Sequence, residues 1–297
     1  MNGMPVVNQG LCCPLCTHRE AAFVSARVWS WENGKVYRCQ ACDLTFIDPV
    51  MDDEQEKKFY KDYGKHVVAR GTTLTEDPAE LHRKGNVAAR ERFSKIDGYF
   101  KGPQRILEIG ASTGAFLELL KGKDCYGVEP ADAHRQFLKQ FCAATYSDLS
   151  DVPCEPGFEI VCLFHVFEHI RKPLVFLEQC AQRLKKGGQV IIEVPYIEDP
   201  LLKLYNCAAF KEFYFQPMHP YVYSKRSLEH IFSQAGFRVK EFIYYQRYGL
   251  DNHLTWLAKG KAGGDPALSL IFRDQSSYKA DLERAQITDT IFCVATR

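Results

Sequence analysis

Short apolar runs alternate with amphipathic segments over the last two thirds of the chain. Each run ends in a polar turn, and residues 174–184, between two of the runs, have the periodicity of an amphipathic helix. We predict strands at residues 105–109, 125–128, 158–163, 189–194, 238–245 and 289–296, and one further strand in the unit that runs up to Asp148-Leu149. Strands that alternate with helices are typical of a doubly wound α/β fold. We therefore predict a mostly parallel, Rossmann-like, seven-stranded sheet whose last two strands form an antiparallel edge pair.

The first 50 residues follow a different pattern, in which two CxxC pairs flank a β-branched and aromatic segment around Asn33-Gly34. Asn-Gly is a favoured type I′ turn, so this segment is predicted to form a hairpin. Two CxxC pairs supply the four thiolates of a structural zinc site. The predicted ligands are Cys13, Cys16, Cys39 and Cys42. We predict a zinc ribbon over residues 1–50, with Cys12 as an alternative to Cys13; otherwise the four cysteines are buried or free thiols.

Residues 51–102 form a charged and aromatic connector to the predicted main domain, residues 103–297. Helices are predicted near Glu54–Tyr63 and Pro78–Tyr99. Tyr60 and Tyr63 either pack against the main domain or close over a substrate as a lid.

Composition narrows the classes of function. The 297 residues are 46% hydrophobic and 25% charged, which is typical of a globular protein. A formal charge of +1 disfavours nucleic acid as the principal partner. The chain has no apolar run long enough to span a membrane and no signal-peptide pattern at its start, so its 12 cysteines indicate metal ligands and buried thiols in a reducing compartment. We expect a soluble, cytoplasmic protein.

The turn after the first strand of the main domain is a candidate nucleoside site. Gly110 and Gly114 have GxxxG spacing, whereas dinucleotide sites have GxGxxG. Glu108 precedes them, and its carboxylate would attract a cationic amino-acid tail and repel a phosphate. Glu129-Pro130 follows the next strand, where an acid can accept hydrogen bonds from ribose hydroxyls. The pattern favours a nucleoside with a cationic tail over NAD.

Together these motifs resemble the class I S-adenosylmethionine-dependent methyltransferases. The resemblance rests on ILEIGASTG, YGVEP, SDL, FEIVCLFHVFEHIRKP and LKKGGQVIIEVP, and it covers about residues 80–297. It implies S-adenosylmethionine as the cofactor. The implied and candidate cofactor contacts are Glu108, Gly110, Ala111, Gly114, Glu129, Pro130, Asp148, Leu149, Phe164 and His165.

The whole chain, ribbon included, further resembles the sugar C-methyltransferases of deoxysugar pathways. It is too short for the extra C-terminal domain of those enzymes, and Gln216 and Met218 stand where they carry Tyr and Glu. We therefore expect a small polar acceptor, a sugar or nucleotide-sugar hydroxyl, with transfer to carbon as an alternative.

Histidine is suited to accept the hydroxyl proton because its pKa lies near neutrality. In the sugar C-methyltransferases a histidine closes each of two segments, which implies His169 and His219 here; we favour His219 as the base. A structural hydrogen bond is the alternative for His219, and the Glu-His pair that includes His169 also occurs in methyltransferases that need no base. Candidate substrate contacts are Tyr63, Tyr221, Arg247, Asn252 and His253.

Three other hypotheses have weaker support. Residues 165–169 spell HxxEH, an inverted zinc-protease motif, but that motif needs a stable helix with both imidazoles facing one ion. An RNA methyltransferase could use the ribbon to bind RNA, yet the CxxC pairs are not embedded in lysine and arginine. A binding module without activity would not need the acids Glu108 and Glu129.

Neither an Asn/Asp-Pro-Pro-aromatic turn nor a pair of metal-binding acids follows the fourth strand, which disfavours an amine acceptor and magnesium-assisted chemistry.

Replacing Glu129 tests the predicted cofactor pocket. We expect Glu129→Ala to weaken S-adenosylmethionine binding at least tenfold, about 1.4 kcal/mol, because the ribose would lose its hydrogen-bond acceptor. Isothermal calorimetry measures the affinity directly, and an unchanged dissociation constant would refute the assigned pocket.

Overall fold

The computed structural model describes residues 7–61, 63–70, 75 and 77–297. The side chains of Tyr60 and Tyr63 lie outside the described part, so the lid and the substrate contact of Tyr63 stay predictions. The described strands are β1 (Val7–Gln9), β2 (Glu20–Ser25), β3 (Lys35–Cys39), β4 (Thr45–Asp48), β5 (Arg105–Ile109), β6 (Asp124–Val128), β7 (Ala144–Tyr146), β8 (Phe158–Phe164), β9 (Leu184–Pro195), β10 (Tyr221–Val222), β11 (Arg238–Tyr245) and β12 (Thr290–Thr296).

Helices cover both faces of the larger sheet and form the connector. The described α-helices are α1 (Asp53–Lys61), α2 (Tyr63–Ala69), α3 (Pro78–Ile96), α4 (Ala115–Glu118), α5 (Asp132–Leu138), α6 (Pro173–Arg183), α7 (Pro200–Lys203), α8 (Ala208–Tyr214), α9 (Lys225–Gln234), α10 (Leu250–Lys259), α11 (Pro266–Ile271) and α12 (Ser276–Ala285). The start of α3 is set by local chemistry: Asp77 accepts a hydrogen bond from the Ala79 amide, and Pro78 occupies the first helical position. Among the described helices, none is long and apolar enough to cross a bilayer.

The larger sheet has seven strands in the order β11-β12-β9-β8-β5-β6-β7. Its strands are parallel except for β12, which is antiparallel to both β9 and β11. This arrangement confirms the predicted fold class. The chain runs from β5 to β7 in one direction and then returns to β8 on the other side of β5, so the carboxyl ends of β5 and β8 flank the crevice where such sheets bind ligands.

The core lies on both faces of this sheet. Successive residues of β5 point to opposite sides: Ile106 packs in the cluster that contains residues of α3 and α4, and Leu107 in the cluster that contains residues of α6 and α9. Because both faces are covered, β8 is buried along almost its whole length. This explains why the parallel strands appear in the sequence as continuous apolar runs.

The predicted ribbon hairpin differs from the observed one. Residues 26–34 separate β2 from β3, and Asn33-Gly34 ends this loop instead of forming a two-residue turn. A Cβ atom at Gly34 would lie 2.7 Å from the Trp31 ring. The glycine therefore allows close packing of that indole, and this packing overrides the turn propensity of the Asn-Gly pair. Strand β9 likewise begins earlier than the predicted strand 189–194, at Leu184.

The smaller sheet joins the N-terminal strands to a distant part of the chain. Its order is β1-β2-β3-β4-β10, with Phe46 of β4 opposite Tyr221 of β10. Arg38 of β3 also forms an ion pair with Glu198, at 3.2 Å. The segments predicted as residues 1–50 and 103–297 thus share one sheet.

Candidate active site

Four cysteine thiols converge at one end of the smaller sheet. The Sγ atoms of Cys13 and Cys42 are 3.6 Å apart, and those of Cys16 and Cys39 are 3.5 Å apart. A tetrahedral zinc ion with Zn–S distances near 2.3 Å requires sulfur atoms about 3.8 Å apart, so the four thiols fit such an ion. The Cys12 thiol is exposed, lies 3.4 Å from the Thr17 carbonyl, and is not part of this cluster.

The crevice at the end of β5 contains a buried carboxylate with an unused oxygen. Glu108 is 5% exposed, and its Oε2 atom has no hydrogen-bond partner in the described structure. Burial raises the pKa of Glu108 to about 8, although the nearby Arg92 guanidinium opposes the shift. An orphaned buried acceptor of this kind is costly unless a ligand supplies its partner.

The turn after β5 brings the backbone close to its neighbours. The amides of Gly110 and Ala111 both donate to the Val128 carbonyl at the end of β6. Gly110 has a φ of +73°, and a Cβ atom there would lie 2.4 Å from Val166. Both facts require glycine at this position.

Glu129 is held beside this turn. Its Oε2 atom accepts a hydrogen bond from the Ser112 amide at 2.9 Å, and its Oε1 atom accepts one from the Ala131 amide at 2.8 Å. Because these two amides fix the carboxylate, it faces the glycine turn in one orientation. Pro130 separates it from α5.

The other predicted cofactor residues lie at the same edge of the sheet. Asp148 follows β7, and its carboxylate accepts hydrogen bonds from the hydroxyl and amide of Ser150, which lower its pKa. Leu149 is buried next to it. Phe164 ends β8, with its ring centroid 4.6 Å from the Arg92 guanidinium carbon.

His165 takes part in a buried charge network. It has a φ of +55°, and its Nδ1 atom lies 3.1 Å from a Glu168 oxygen. Its Nε2 atom lies 3.1 Å from Glu193 and 2.9 Å from an Arg247 nitrogen. Burial and Arg247 lower the pKa of His165, but the two carboxylates outweigh them and the pKa is raised.

Residues 165–169 do not form the helix that HxxEH metal binding requires. A 3₁₀ turn covers only 167–169, and His165 has left-handed backbone geometry. The His165 and His169 rings therefore have different partners and do not converge on one ion.

The two predicted bases lie against each other. The rings of His169 and His219 are 4.6 Å apart in an edge-to-face arrangement, and the 1% exposed carboxylate of Glu168 is the third member of this cluster. Glu168 Oε2 and His169 Nδ1 have no hydrogen-bond partner among the described residues. Burial, together with His169, lowers the pKa of His219 to about 3, so its imidazole is neutral at neutral pH.

Arg247, which contacts His165, also lines a cavity of about 890 Å³. Arg247, Asn252 and His253 all line it, so the structure brings three predicted substrate contacts together. The Nδ1 atom of His253 lies 2.6 Å from the Tyr278 hydroxyl. Tyr221 lies elsewhere: its hydroxyl donates to the Arg171 carbonyl at 3.0 Å, and its ring is buried in the smaller sheet.

Most residues of the cavity wall are not marked by any sequence pattern. The missed residues include three cations, an acid and three aromatic rings: Arg70, Arg273, Lys279, Asp199, Phe210, Phe213 and Trp256. They come from separate segments, and no motif marks them. Arg92 and Glu193, which pair with each other, were also missed, although both are charged residues within predicted helical or strand segments.

Asp199 is a neutral member of this wall. Burial, assisted by the charge of Asp289, raises the pKa of Asp199 to about 8. Arg247, another residue of this wall, forms an ion pair with Asp289, with 2.8 Å between its Nε atom and the Asp289 Oδ1 atom.

The methyltransferase-domain family model matches residues 79–241, more than half of the 297-residue chain. The chain belongs to this family. A structure of an S-adenosylmethionine-dependent methyltransferase from Archaeoglobus fulgidus is 25% identical, with a TM-score of 0.51, and the match covers 73% of this chain and 97% of that one. The protein is thus an S-adenosylmethionine-dependent methyltransferase, which confirms the predicted enzyme class and methyl donor.

Two further relatives bear on fold and function. The complex of the Haloferax volcanii Trm112 methyltransferase activator with its methyltransferase partner gives a match of 16% identity and TM-score 0.50 over 75% of this chain and 99% of that one, which supports the fold alone. A tRNA U34 carboxymethyltransferase from Pseudoalteromonas atlantica is 27% identical over 104 residues, 31% of this chain. The match spans about a third (32%) of that relative's length. None of these three relatives is named for a carbohydrate substrate.

The raised pKa of Glu108 predicts a pH-dependent stability in the cofactor-free protein. Between pH 5 and 8 the unfolded state ionises this group while the folded state keeps it protonated, so the wild-type protein loses stability as pH rises. Glu108→Gln removes this titration. We expect its free energy of unfolding, relative to wild type, to increase by at least about 1 kcal/mol over this range.

Denaturant unfolding at each pH measures this difference. Glu241→Gln, at an exposed position of β11, is the control and should follow the wild-type curve. Parallel curves for Glu108→Gln and wild type would contradict the assigned environment of Glu108.

Proposed function

We propose that this methyltransferase acts on a hydroxyl group of a carbohydrate, as a free sugar or a nucleotide sugar, bound in the 890 Å³ cavity. The observation that carries the proposal is the composition of the cavity wall, which combines cations, aromatic rings and hydrogen-bonding side chains. Small-ligand sites have volumes of roughly 300–1,000 Å³, so this cavity is large enough for a sugar with a nucleotide attached.

The crevice at β5 and β6 fits S-adenosylmethionine. The orphaned Glu108 oxygen would accept a hydrogen bond from the ammonium group, and the fixed carboxylate of Glu129 would accept the ribose hydroxyls. Asp148 and Leu149 would face the adenine, while Gly110 and Gly114 leave the backbone open. When bound, the cofactor supplies an electrophilic methyl group; the protein supplies alignment and a proton acceptor.

The cations of the cavity suit the phosphates of a nucleotide sugar. Among the described residues, no carboxylate lies within ion-pair distance of Arg273 or Lys279, although both line the cavity. Asp199 is neutral near pH 7, which leaves the wall with a positive balance. Guanidinium and ammonium groups bind phosphate by charge-assisted hydrogen bonds.

The remaining wall suits a sugar ring and its hydroxyls. Trp256 and Phe213 line the cavity with their ring centroids 4.9 Å apart, and the Arg70 guanidinium lies over the Phe213 ring, 3.5 Å from its centroid. Asn252 and His253 offer polar groups beside them. Stacking on an aromatic face and hydrogen bonding at its edge are what an amphipathic ring requires.

We assign the proton transfer to the histidine pair, with His219 as the acceptor. Its imidazole is neutral at neutral pH, and the buried carboxylate of Glu168 opposes the lowering of its pKa and would stabilise the imidazolium as it forms. His169, packed against His219, holds the ring in place.

Replacing His219 tests this role. We expect His219→Ala to lower kcat by roughly a hundredfold, the lower end of what general-base catalysis contributes, with little change in cofactor affinity. Single-turnover methyl transfer and calorimetry with S-adenosylhomocysteine measure the two quantities. His18→Ala, at an exposed histidine in the loop before β2, is the control; an unaltered rate in His219→Ala would leave the protein without its assigned base.

Replacing the cavity cations tests the acceptor class. We expect Arg273→Ala and Lys279→Ala each to raise the KM for a nucleotide sugar about tenfold, because each removes a phosphate contact, and to leave the KM for the unphosphorylated sugar unchanged. Thermal-shift titration with S-adenosylhomocysteine present identifies the nucleotide sugar to use. Arg284→Ala is the matched control, since Arg284 is an exposed cation on the same helix as Lys279 and pairs with Asp281. Equal KM values for the nucleotide sugar in all three variants would contradict a phosphate-bearing acceptor.

Transfer to tRNA is the second candidate function. The tRNA-modifying relative supports it, and the same cations could contact an RNA backbone. Incubation with methyl-labelled S-adenosylmethionine, total tRNA and a nucleotide-sugar pool distinguishes the two functions. The label enters the sugar fraction if the acceptor is a carbohydrate and the tRNA fraction if the acceptor is tRNA. In a labelled sugar, the atom that carries the label separates hydroxyl from carbon transfer.

A further inference from the structure

The segment that carries His219 is attached at both ends to the N-terminal sheet. On its amino side, the Trp29 amide donates to the Phe215 carbonyl at 2.8 Å. On its carboxyl side, the Ile47 amide donates to the Pro220 carbonyl at 3.0 Å. Trp29 precedes β3 and Ile47 belongs to β4, so two main-chain hydrogen bonds from the ribbon flank residues 216–219.

The segment between these two bonds is a tight turn. The His219 amide donates to the Gln216 carbonyl at 3.0 Å, which closes the turn. His219 is followed by Pro220 and then by β10, which pairs with β4 through Tyr221–Phe46 and Val222–Thr45. The backbone position of His219 thus depends on the register between β4 and β10.

The cysteine cluster and this turn share one core. Cys13, Cys39 and Cys42 pack in the same buried cluster as Phe46 and Tyr221. Cys39 is the last residue of β3, which pairs along its length with β4. A change in the geometry of the thiols is therefore transmitted through β3 and β4 to the residues that hold the turn.

The same core also reaches the other histidine. The hydroxyl of Tyr221, two residues after His219, donates to the carbonyl of Arg171, two residues after His169. Tyr221 therefore links the segments that carry the two rings, which lie 4.6 Å apart.

We propose that the metal-bound N-terminal module is a positioning element of the acceptor site: it holds His219 against His169. A module of this length has a small core of its own, so an ion held by the four thiols would contribute to its order. Without the ion, β4 and the segment around Trp29 would lose order, and with them the hydrogen bonds to the Pro220 and Phe215 carbonyls that flank His219. The proposal uses the proposed function only for the role of His219.

The cofactor crevice shares the large core with the cysteines through Ile109 and Val128, but its polar contacts come from the larger sheet and not from the N-terminal strands. Glu108 and Glu129 are held by the turns after β5 and β6, and the hydrogen bonds that fix Glu129 come from Ser112 and Ala131. Metal removal should therefore separate two properties of the enzyme: the order of His219 changes, while cofactor affinity stays.

Reversible chelation of the full-length protein tests this separation. After the ion is removed, we expect hydrogen exchange at the amides of Trp29, Ile47 and His219 to accelerate at least about tenfold. The ring signals of His219 in ¹⁵N-histidine spectra should shift or broaden. We expect kcat to fall at least about tenfold, with the dissociation constant of S-adenosylhomocysteine within about twofold. Added zinc should restore all three observables.

Two cysteine variants provide the matched control. Cys13→Ser removes a member of the cluster and should reproduce the effect of chelation, whereas Cys12→Ser changes an exposed thiol outside the cluster and should behave as wild type. Tyr221→Phe keeps the ring but loses the bond to Arg171, and it should shift the His219 signals without loss of metal.

Two results would overturn the proposal. In the first, exchange in β3 and β4 rises after metal removal but the His219 amide and ring signals stay unchanged, which would show that the turn is held independently. In the second, cofactor binding is lost together with the metal, which would show that the ion maintains the whole fold. Because exchange and spectra require no acceptor, a failure of the carbohydrate assignment would leave these observables unaffected.

Discussion

Buried charge at the carboxyl edge of the larger sheet is the constraint on which the site depends. Glu193 of β9 is fully buried, and it pairs with Arg92 of α3 and with His165 after β8. Burying an unpaired carboxylate is strongly unfavourable, so these elements must meet in one arrangement for the chain to fold. Arg247 approaches the same histidine and pairs with Asp289, which ties the loop after β11 to the edge as well. Arg247 also lines the 890 Å³ cavity, so the network connects the edge of the sheet to that cavity.

Two glutamates near this edge show how partners decide the role of a buried acid. Glu193 has Arg92 and His165 as partners, and they lower its pKa to about 2 despite burial. Burial raises the pKa of Glu108 to about 8, because its oxygen lacks a direct partner and Arg92 acts only at a distance. The first carboxylate is satisfied within the protein and stabilises the fold. The second is satisfied only when a ligand brings a donor, so pKa values pushed in opposite directions separate structural from ligand-binding acids.

The sequence predicted the parts of the molecule that are encoded locally. A strand followed by a glycine turn and an acid is a short pattern, and for this reason the residue order alone places Glu108 and Glu129 at strand ends. The cavity wall could not be predicted in this way. Arg70, Asp199 and Lys279 lie far apart in the sequence, and only the tertiary fold brings them together around the cavity. The ribbon turn was predicted wrongly for a related reason: the contact between Trp31 and Gly34 is tertiary, and it outweighs the local preference of Asn-Gly. The network around Glu193 was missed because a charged residue inside an apolar strand does not identify its partner.

The segment between β9 and α9 has no long helix or strand of its own, which explains why it pairs with the N-terminal module. Residues 196–224 contain the short helices α7 and α8 and the two-residue strand β10, and elements this short are marginal on their own. β10 can pair only with a strand that already exists, and β4 supplies it. In the larger sheet, β11 is an edge strand that pairs with β12 on one side, and no described strand pairs with its other side; β10 joins β4 and not this edge. Residues 29–47 therefore supply backbone hydrogen bonds on both sides of His219, to the carbonyls of Phe215 and Pro220.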